Sequence, residues 1–255
     1  MSKNIIYGKH SVEDAILSMS QSIEKIVILK AAKNFDFILQ TSNSKGVKLE
    51  VIETKREFNQ AIGKHFNGFI NHQNIYAFVK PYNYFDFEKL VNETREKSIV
   101  LVLCNLTDVS NFGAIIRSSV AFGVDTIVIP KDRSVEVNST VYKTSSGQVS
   151  KIRICVVTNI SRAIGELKEK GFWSYAADLN SEKTIFDIKF PPKILLAIGS
   201  EDKGVGHAVL KVLDDTFKIP IKSEVDSLNV SVATGISLFY INSQSGFIEQ
   251  KPSCL

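Results

Sequence analysis

Polar and apolar positions along this chain form two successive alternations. In the first eighty residues, short apolar runs trade places with stretches whose apolar residues recur every three or four positions. HSVEDAILSM (10–19) predicts a helix, KIVILK (25–30) a strand, and FDFILQTSNSKG (35–46) a helix closed by Gly46. KLEVIE (48–53) reads as a strand, KREFNQAIG (55–63) as a helix and IYAFVKP (75–81) as a strand. The stretch PYNYFDFEKLVNETREKS (81–98) opens on Pro81 and ends in charges, which predicts a linker with one short helix.

A stronger alternation begins at residue 98. SIVLVLC, DTIVIP, IRICVV, WSYAA, KILLAIG and TFKIP are short, β-rich apolar runs. NFGAIIRSSVAFG (111–123), ISRAIGELKEKG (160–171) and GVGHAVLKVL (204–213) lie between them with helical spacing. Strands alternating with helices imply βαβ units and a mostly parallel sheet. Ligands of such sheets bind beyond the carboxyl ends of the strands. The loops to search are therefore LTDVSN, PKDRS, DLNSE, GSEDKG and IKSEVDS.

Composition narrows the class without identifying it. The 255 residues are 44% hydrophobic and 23% charged, as in an ordinary globular protein. A net charge of +4 permits nucleic-acid binding and does not argue for it. The start, MSKNIIYGKH, lacks the apolar core of a signal peptide, and no apolar run approaches the roughly 18–20 residues of a membrane span. A cytoplasmic protein without a membrane partner is expected. Cys104, Cys155 and Cys254 are far apart, so no metal-binding spacing is present and buried thiols are expected at Cys104 and Cys155.

Three stretches invite chemistry. In 111–123, Asn111 reads as a helix N-cap and Gly123 as the residue just past the helix end. Gly113, Arg117 and Ala121 then share one face, so an arginine projects from small neighbours, towards either a ligand or solvent. In 194–206, an apolar strand ends in Gly199 and GSEDKG. The spacing approaches a phosphate loop, but Val205 stands where that loop needs lysine, and no GxGxxG turn occurs anywhere. In SLNVSVATG (227–235), a helix would stack Ser227, Ser231 and Gly235, with Leu228, Val232, Ile236 and Phe239 or Tyr240 as an apolar stripe. Apolar flanks predict burial of this segment, and buried polar groups need partners. Ser227 or Asn229 is the candidate cap; a strand remains the other reading of NVSVA.

In this order, the three stretches resemble the motifs of the SpoU (TrmH-like) family of RNA ribose 2′-O-methyltransferases. The first is carried by Asn111, Gly113, Ala114, Arg117, Ser118, Ala121, Phe122 and Gly123, and the second by Gly199, Glu201 and Gly204. The third is carried by Ile219, Pro220 and Ser227 through Ala233. YGKHSVEDAI and NHQNIYAFV are similar to the substrate-binding domain, like ribosomal protein L30e, that precedes the catalytic domain in many members. PKDRS adds a likeness to the branch acting on a guanosine of large-subunit (23S) ribosomal RNA. Departures are Val109 for a usual proline, Ser223 for a usual glycine, and Asn74 where the N-terminal pattern has glycine.

The resemblance implies an α/β protein with a small L30e-like domain (1–80), a linker (81–97) and a parallel-sheet methyltransferase domain with a trefoil knot (98–250). It implies S-adenosyl-L-methionine as cofactor and a homodimer with the site near the subunit interface. It places cofactor binding at Leu179, Ile198, Gly199, Gly204, Ile219, Ser227, Leu228 and Asn229. It assigns catalysis to Arg117, Asn111, Glu201, Ser227 and Asn229, and no metal. Arg117, with Lys131 and Arg133, is the expected RNA contact. Because a guanidinium is effectively always protonated, Arg117 is expected to position the RNA phosphate and ribose rather than act as a base. The implied reaction is methylation of a ribose 2′-hydroxyl, on 23S ribosomal RNA or an assembly intermediate of the ribosome. Transfer RNA is the alternative substrate, and a non-catalytic RNA-binding protein of the same fold is the alternative class.

Overall fold

The structure is a computed structural model that describes residues 4–31, 35–65, 70–200 and 203–245. In chain order, the first elements are β1 (Asn4–Tyr7), α1 (Lys9–Met19), β2 (Ile23–Leu29), α2 (Asp36–Ser44), β3 (Leu49–Ile52), α3 (Lys55–Gly63) and β4 (Ile75–Val79). Then come α4 (Phe87–Asn92), β5 (Ser98–Cys104), α5 (Val109–Ala121), β6 (Thr126–Pro130), α6 (Ser139–Thr144), β7 (Arg153–Val157) and α7 (Ile160–Glu169). The chain continues through β8 (Trp173–Ala177), β9 (Lys193–Gly199), α8 (His207–Leu210), β10 (Asp215–Phe217) and α9 (Val230–Ser245).

Two compact units result. One runs through Asn83 and includes Val137–Ser150; the other comprises Tyr84–Glu136 and the chain from Lys151 onward. The first holds a four-stranded sheet in the order β1-β4-β2-β3, with β2 and β3 parallel and the other pairs antiparallel. Its core gathers Ile5, Val27, Leu29, Phe58, Ile62, Tyr76 and Phe78. β1 went unpredicted: NIIY is too short to show a period, and it becomes a strand by pairing with β4. Asn74 has φ +61, the left-handed region in which asparagine is the commonest substitute for glycine. That backbone explains how asparagine is accommodated at a family glycine position.

Two boundaries differ from expectation. The segment expected as a linker contributes α4, whose Leu90 is buried in the core of the second unit. Residues 137–150, expected in the methyltransferase domain, group with the first unit, because Val137, Val141 and Tyr142 are buried and α6 packs on α1 and β1.

The second unit is built on a six-stranded sheet in the order β10-β8-β9-β5-β6-β7, parallel throughout. β5 is buried at every position, as a strand covered on both faces must be. From β5 the chain first builds outward through β6 and β7. It then crosses back to lay β9 against the other side of β5, with β8 and β10 beyond. This reversal is a topological switch point, where a crevice opens at the carboxyl ends of the strands. α9 packs against α5, and Gln244 near its end accepts the N–H of Phe190 and donates to the carbonyl of Ile188. Gly235 lies at this crossing: a Cβ there would stand 3.6 Å from the Ser118 hydroxyl.

The edge of this sheet is braced by Asp214. Its carboxylate accepts from Ser174 N–H at 2.8 Å and Ser174 Oγ at 2.7 Å, and pairs with Lys168 Nζ at 2.8 Å. Partial burial pushes its pKa up, but the bonds from Lys168 and Ser174 outweigh burial and hold it below the usual value of 3.8. A carboxyl lowered by folding stabilises fully above the unfolded pKa, and the contribution is lost as pH falls through the folded one. Asp214→Asn is therefore expected to cost about 1.5–3 kcal/mol at neutral pH, the scale of bonds to a charged group. In urea titrations this gap should stay level above pH 5 or so and close below 3.8. A gap that widened on acidification would refute this account.

Candidate functional site

The crevice at the switch point is a cavity of about 420 Å³. Three loops wall it, each at the carboxyl end of a strand. After β8, Asp178 Oδ1 accepts the N–H of Asn180 at 3.0 Å, and Ser181 Oγ donates to the carbonyl of Thr216 at 2.9 Å, so this loop is tied down to β10. Leu179 is thereby left half-exposed on the cavity wall.

After β9 the chain turns back on itself. Ser200 N–H donates to Cys104 O at 3.1 Å, and Gly204 N–H donates to Ser200 O at 2.8 Å. The returning backbone lies directly on the strand end: a Cβ on Gly199 would stand 1.9 Å from the Gly204 carbonyl carbon. Gly204 and Gly206 have φ of +59 and +85, so the turn needs the conformations that glycine alone adopts freely. These two residues also explain why α8 is only His207–Leu210, shorter than GVGHAVLKVL predicts.

The third wall is the segment after β10. Lys218 N–H donates to Lys183 O and its carbonyl accepts from Ile185 N–H, both at 2.9 Å, which brings Ile219 and Ile221 to the cavity. The chain then enters α9, and Ser227, Leu228, Val230 and Ala233 complete the wall.

The expected cofactor residues come together closely. Leu179, Ile198, Gly199, Gly204, Ile219, Ser227 and Leu228 line the cavity; Asn229 is next to them and does not. Asn229 is the cap of α9: its Oδ1 accepts the Ser231 N–H at 3.0 Å and the Ser231 hydroxyl at 2.6 Å. Its Nδ2 donates to Asn111 Oδ1 at 3.1 Å, across 118 residues of chain. Ser227 precedes the helix and so does not stack with Ser231 and Gly235. The expected burial of this segment does not hold: Ser227 and Asn229 are exposed and Ser231 is half-buried. The buried hydroxyls are one turn further on, where Thr234 and Ser237 donate to the carbonyls of Val230 and Ala233.

Asn111 is not the cap of α5. Asp108 is, accepting the Asn111 N–H at 2.6 Å, so the side chain of Asn111 is released from capping and meets Asn229 instead. Gly123, with φ +73, does close the helix. Arg117 is exposed further along α5 and does not line the cavity; it makes no hydrogen bond or ion pair to another described residue. Lys131 and Arg133 are exposed on the loop after β6, also outside the cavity, and Arg133 is held at φ +54. Glu201 lies outside the described residues. Ser223 is exposed in its turn without a positive φ and is not part of the cavity wall, so its backbone makes no demand for glycine.

Sequence reasoning missed Asp178, Lys203, His207 and Lys218 at the cavity rim, and Asp108 as cap. Asp108 carried a readable signal, an acidic residue immediately before the helical pattern. The rim charges carried none beyond their place in loops. Among the described residues, no group of His, Cys, Asp or Glu could hold a metal ion, and no helix is long and apolar enough to cross a membrane. Cys104 and Cys155 are buried free thiols, each pushed up to about 12 chiefly by burial.

Comparison with known proteins meets the same two parts of the chain. Residues 98–239 match the model described as the SpoU rRNA Methylase family, and residues 5–85 match that described as RNA 2′-O ribose methyltransferase substrate binding. A Staphylococcus epidermidis protein named "Putative TrmH family tRNA/rRNA methyltransferase" is 34% identical over 253 residues, 97% of this chain and 98% of that protein. An rRNA methyltransferase from Sinorhizobium meliloti, solved with AdoMet bound, superposes with TM-score 0.71 at 21% identity, over 95% of this chain and 87% of that one. The A. aeolicus TrmH/SpoU tRNA modifying enzyme superposes with TM-score 0.54 at 27% identity, over 63% of this chain and 84% of that one. With the parallel sheet, the turn over Gly199 and the capped entry into α9 all in place, the chain belongs to the SpoU rRNA methylase family, of TrmH-type RNA methyltransferases.

Proposed function

We propose that the protein transfers a methyl group from S-adenosylmethionine to a ribose 2′-hydroxyl, of a guanosine in large-subunit ribosomal RNA. The observation that carries the reading is the cavity itself. About 420 Å³ falls within the roughly 300–1,000 Å³ of small-molecule sites, and seven of the eight residues to which the resemblance assigns cofactor binding line it. Its walls suit the cofactor: Leu179, Ile198, Ile219 and Leu228 offer apolar surface, and Asp178, Lys203 and Lys218 offer charge at the rim.

The bound cofactor supplies an electrophilic methyl on a sulfonium. A C–O bond forms at the ribose 2′-oxygen, the methyl–sulfur bond breaks with its electron pair left on sulfur, and the hydroxyl proton passes to water or the neighbouring phosphate. Arg117 holds the RNA phosphate and sets the ribose in line. It is exposed and has no hydrogen-bond or ion-pair partner among the described residues, which leaves the guanidinium fork available for such a contact. Asn111, Glu201, Ser227 and Asn229 orient the reacting groups, and Lys131 and Arg133 extend the RNA contact. Residues 1–80 serve as the RNA-binding domain and the second unit carries the knotted catalytic chain. Val232, Ile236 and Phe239 are exposed on α9 and form the homodimer contact. The working compartment is the cytoplasm.

Ribosomal RNA is preferred over transfer RNA because the N-terminal module and the PKDRS stretch resemble the branch acting on ribosomal RNA. The test is label transfer from S-adenosylmethionine to unmodified large-subunit RNA, to ribosome assembly particles and to bulk transfer RNA. Label on the ribosomal substrates, mapped to a guanosine ribose, is expected. Label on transfer RNA alone would overturn the substrate and keep the chemistry. Binding of RNA with no transfer to any of the three would overturn the enzyme reading.

A further inference from the structure

We propose that Asn111 is a fixed hydrogen-bond donor towards an RNA oxygen in the methyl-transfer site, and that Asn229 sets its polarity. The inference rests on the function proposed above and adds a role to it.

The two ends of an asparagine amide have nearly the same shape, so which end faces a ligand is settled by neighbours. Here the neighbours settle it in sequence. The backbone N–H of Ser231 can only donate, so the Asn229 atom 3.0 Å away is the oxygen. The Ser231 hydroxyl donates to the same oxygen at 2.6 Å. The other branch of Asn229 is therefore nitrogen, which can only donate, and the Asn111 atom 3.1 Å from it is oxygen. Asn111 is left with its nitrogen outward. Turning the Asn111 amide over would set two nitrogens, all donors, face to face.

Two further observations agree. The backbone N–H of Asn111 is already taken by Asp108 at 2.6 Å, so the outward side-chain nitrogen is the donor left over. It has no partner among the described residues, although Asn111 is only half-buried. Second, Asn229 has a task that a plain cap does not explain. Serine or aspartate would cap α9 equally well. Aspartate cannot donate to Asn111, and a serine hydroxyl offers one atom where the amide uses two, its oxygen for Ser231 and its nitrogen for Asn111. The site lies one hydrogen bond from the segment that lines the cavity through Ser227, Leu228 and Val230.

A fixed donor suits an oxygen that carries or gains negative charge, such as a phosphate oxygen or the 2′-oxygen as its proton leaves. It also bars Asn111 from receiving that proton. Asn229 and Ser231 are positioning residues; Asn111 is the group that touches RNA.

The test compares Asn229→Ser, Asn229→Asp and Asn111→Asp with the wild type. Readouts are melting temperature, S-adenosylmethionine affinity, single-turnover methyl transfer at saturating cofactor on the RNA that the wild type methylates, and the side-chain amide NMR signals of Asn111. Both replacements at 229 keep the cap. Aspartate puts a second oxygen opposite Asn111 and turns its amide round. Serine only frees it. Transfer should fall by about 100-fold in Asn229→Asp and Asn111→Asp, the scale of losing one preorganised donor, and by less in Asn229→Ser, with folding and cofactor affinity kept. A role in capping alone predicts wild-type rates for both replacements at 229, and that result would overturn the proposal. Should the wild type methylate no RNA, the function reading fails and the amide signals decide. Asn111 signals that shift in Asn229→Asp would support the fixed polarity, and signals that stay in place would overturn it.

Discussion

Replacing Arg117 with alanine is expected to lower kcat for RNA methylation by about 1,000-fold or more, within the range that substrate positioning supplies. S-adenosylmethionine affinity should change by no more than about twofold, because a contact outside the cavity contributes little to ground-state cofactor binding. The structure makes the variant informative. Arg117 is exposed on α5, outside the cavity, and bonds to no other described residue. Its removal leaves no buried group unpaired, so the fold should tolerate it. Arg117→Lys should recover only a fraction of the rate, since an ammonium does not reproduce the two-pronged contact of a guanidinium with phosphate. Near-normal turnover in Arg117→Ala would remove Arg117 from the mechanism.

Gly199→Ala is expected to weaken S-adenosylmethionine binding by at least about 30-fold, corresponding to about 2 kcal/mol. The added methyl would meet the Gly204 carbonyl carbon at 1.9 Å, its oxygen at 2.1 Å and the Val205 nitrogen at 2.2 Å. These are backbone atoms, which cannot rotate aside as a side chain would. Overpacking commonly costs about 1–3 kcal/mol, and a rigid backbone opponent puts this site at the upper end. The strain is relieved by lifting residues 203–206 from the strand end, which moves Gly204, Val205 and Gly206 on the cavity wall. Gly165 in α7 is the control, with nothing within 4 Å of its Cβ position. Gly165→Ala should raise stability by about 0.5–1 kcal/mol and leave binding alone. Equal cofactor affinity in the two variants, by calorimetry, would contradict the role given to the Gly199 turn.

Much of the site was legible because motif residues report local needs. The glycines of GSEDKG and the polar run SLNVSVA marked segments that the fold brings to the cavity wall, and NFGAIIRSSVAFG marked the helix that meets α9 through Asn111 and Ser118. What failed was the assignment of individual polar side chains. Asn111 has the residue type and place of a cap, yet Asp108, three residues earlier, fills that role. Both residue types cap well, and the acidic residue before the helical pattern was the signal that pointed to Asp108. The apolar flanks of 227–231 suggested burial, but Ser227 and Asn229 are exposed where the chain enters α9.

The alternation of apolar and polar residues determined by itself that this chain is α/β, with a parallel-sheet second half, since period and capping act over one or two turns of chain. It also determined which loops stand at strand ends. The tertiary structure alone decided that β9 lies beside β5, that residues 137–150 join the first unit, and that Asn229 meets Asn111. Each of these joins residues far apart in the chain. Their pairing depends on which surfaces bury the most apolar area together, a property of the whole molecule that no local window of sequence contains.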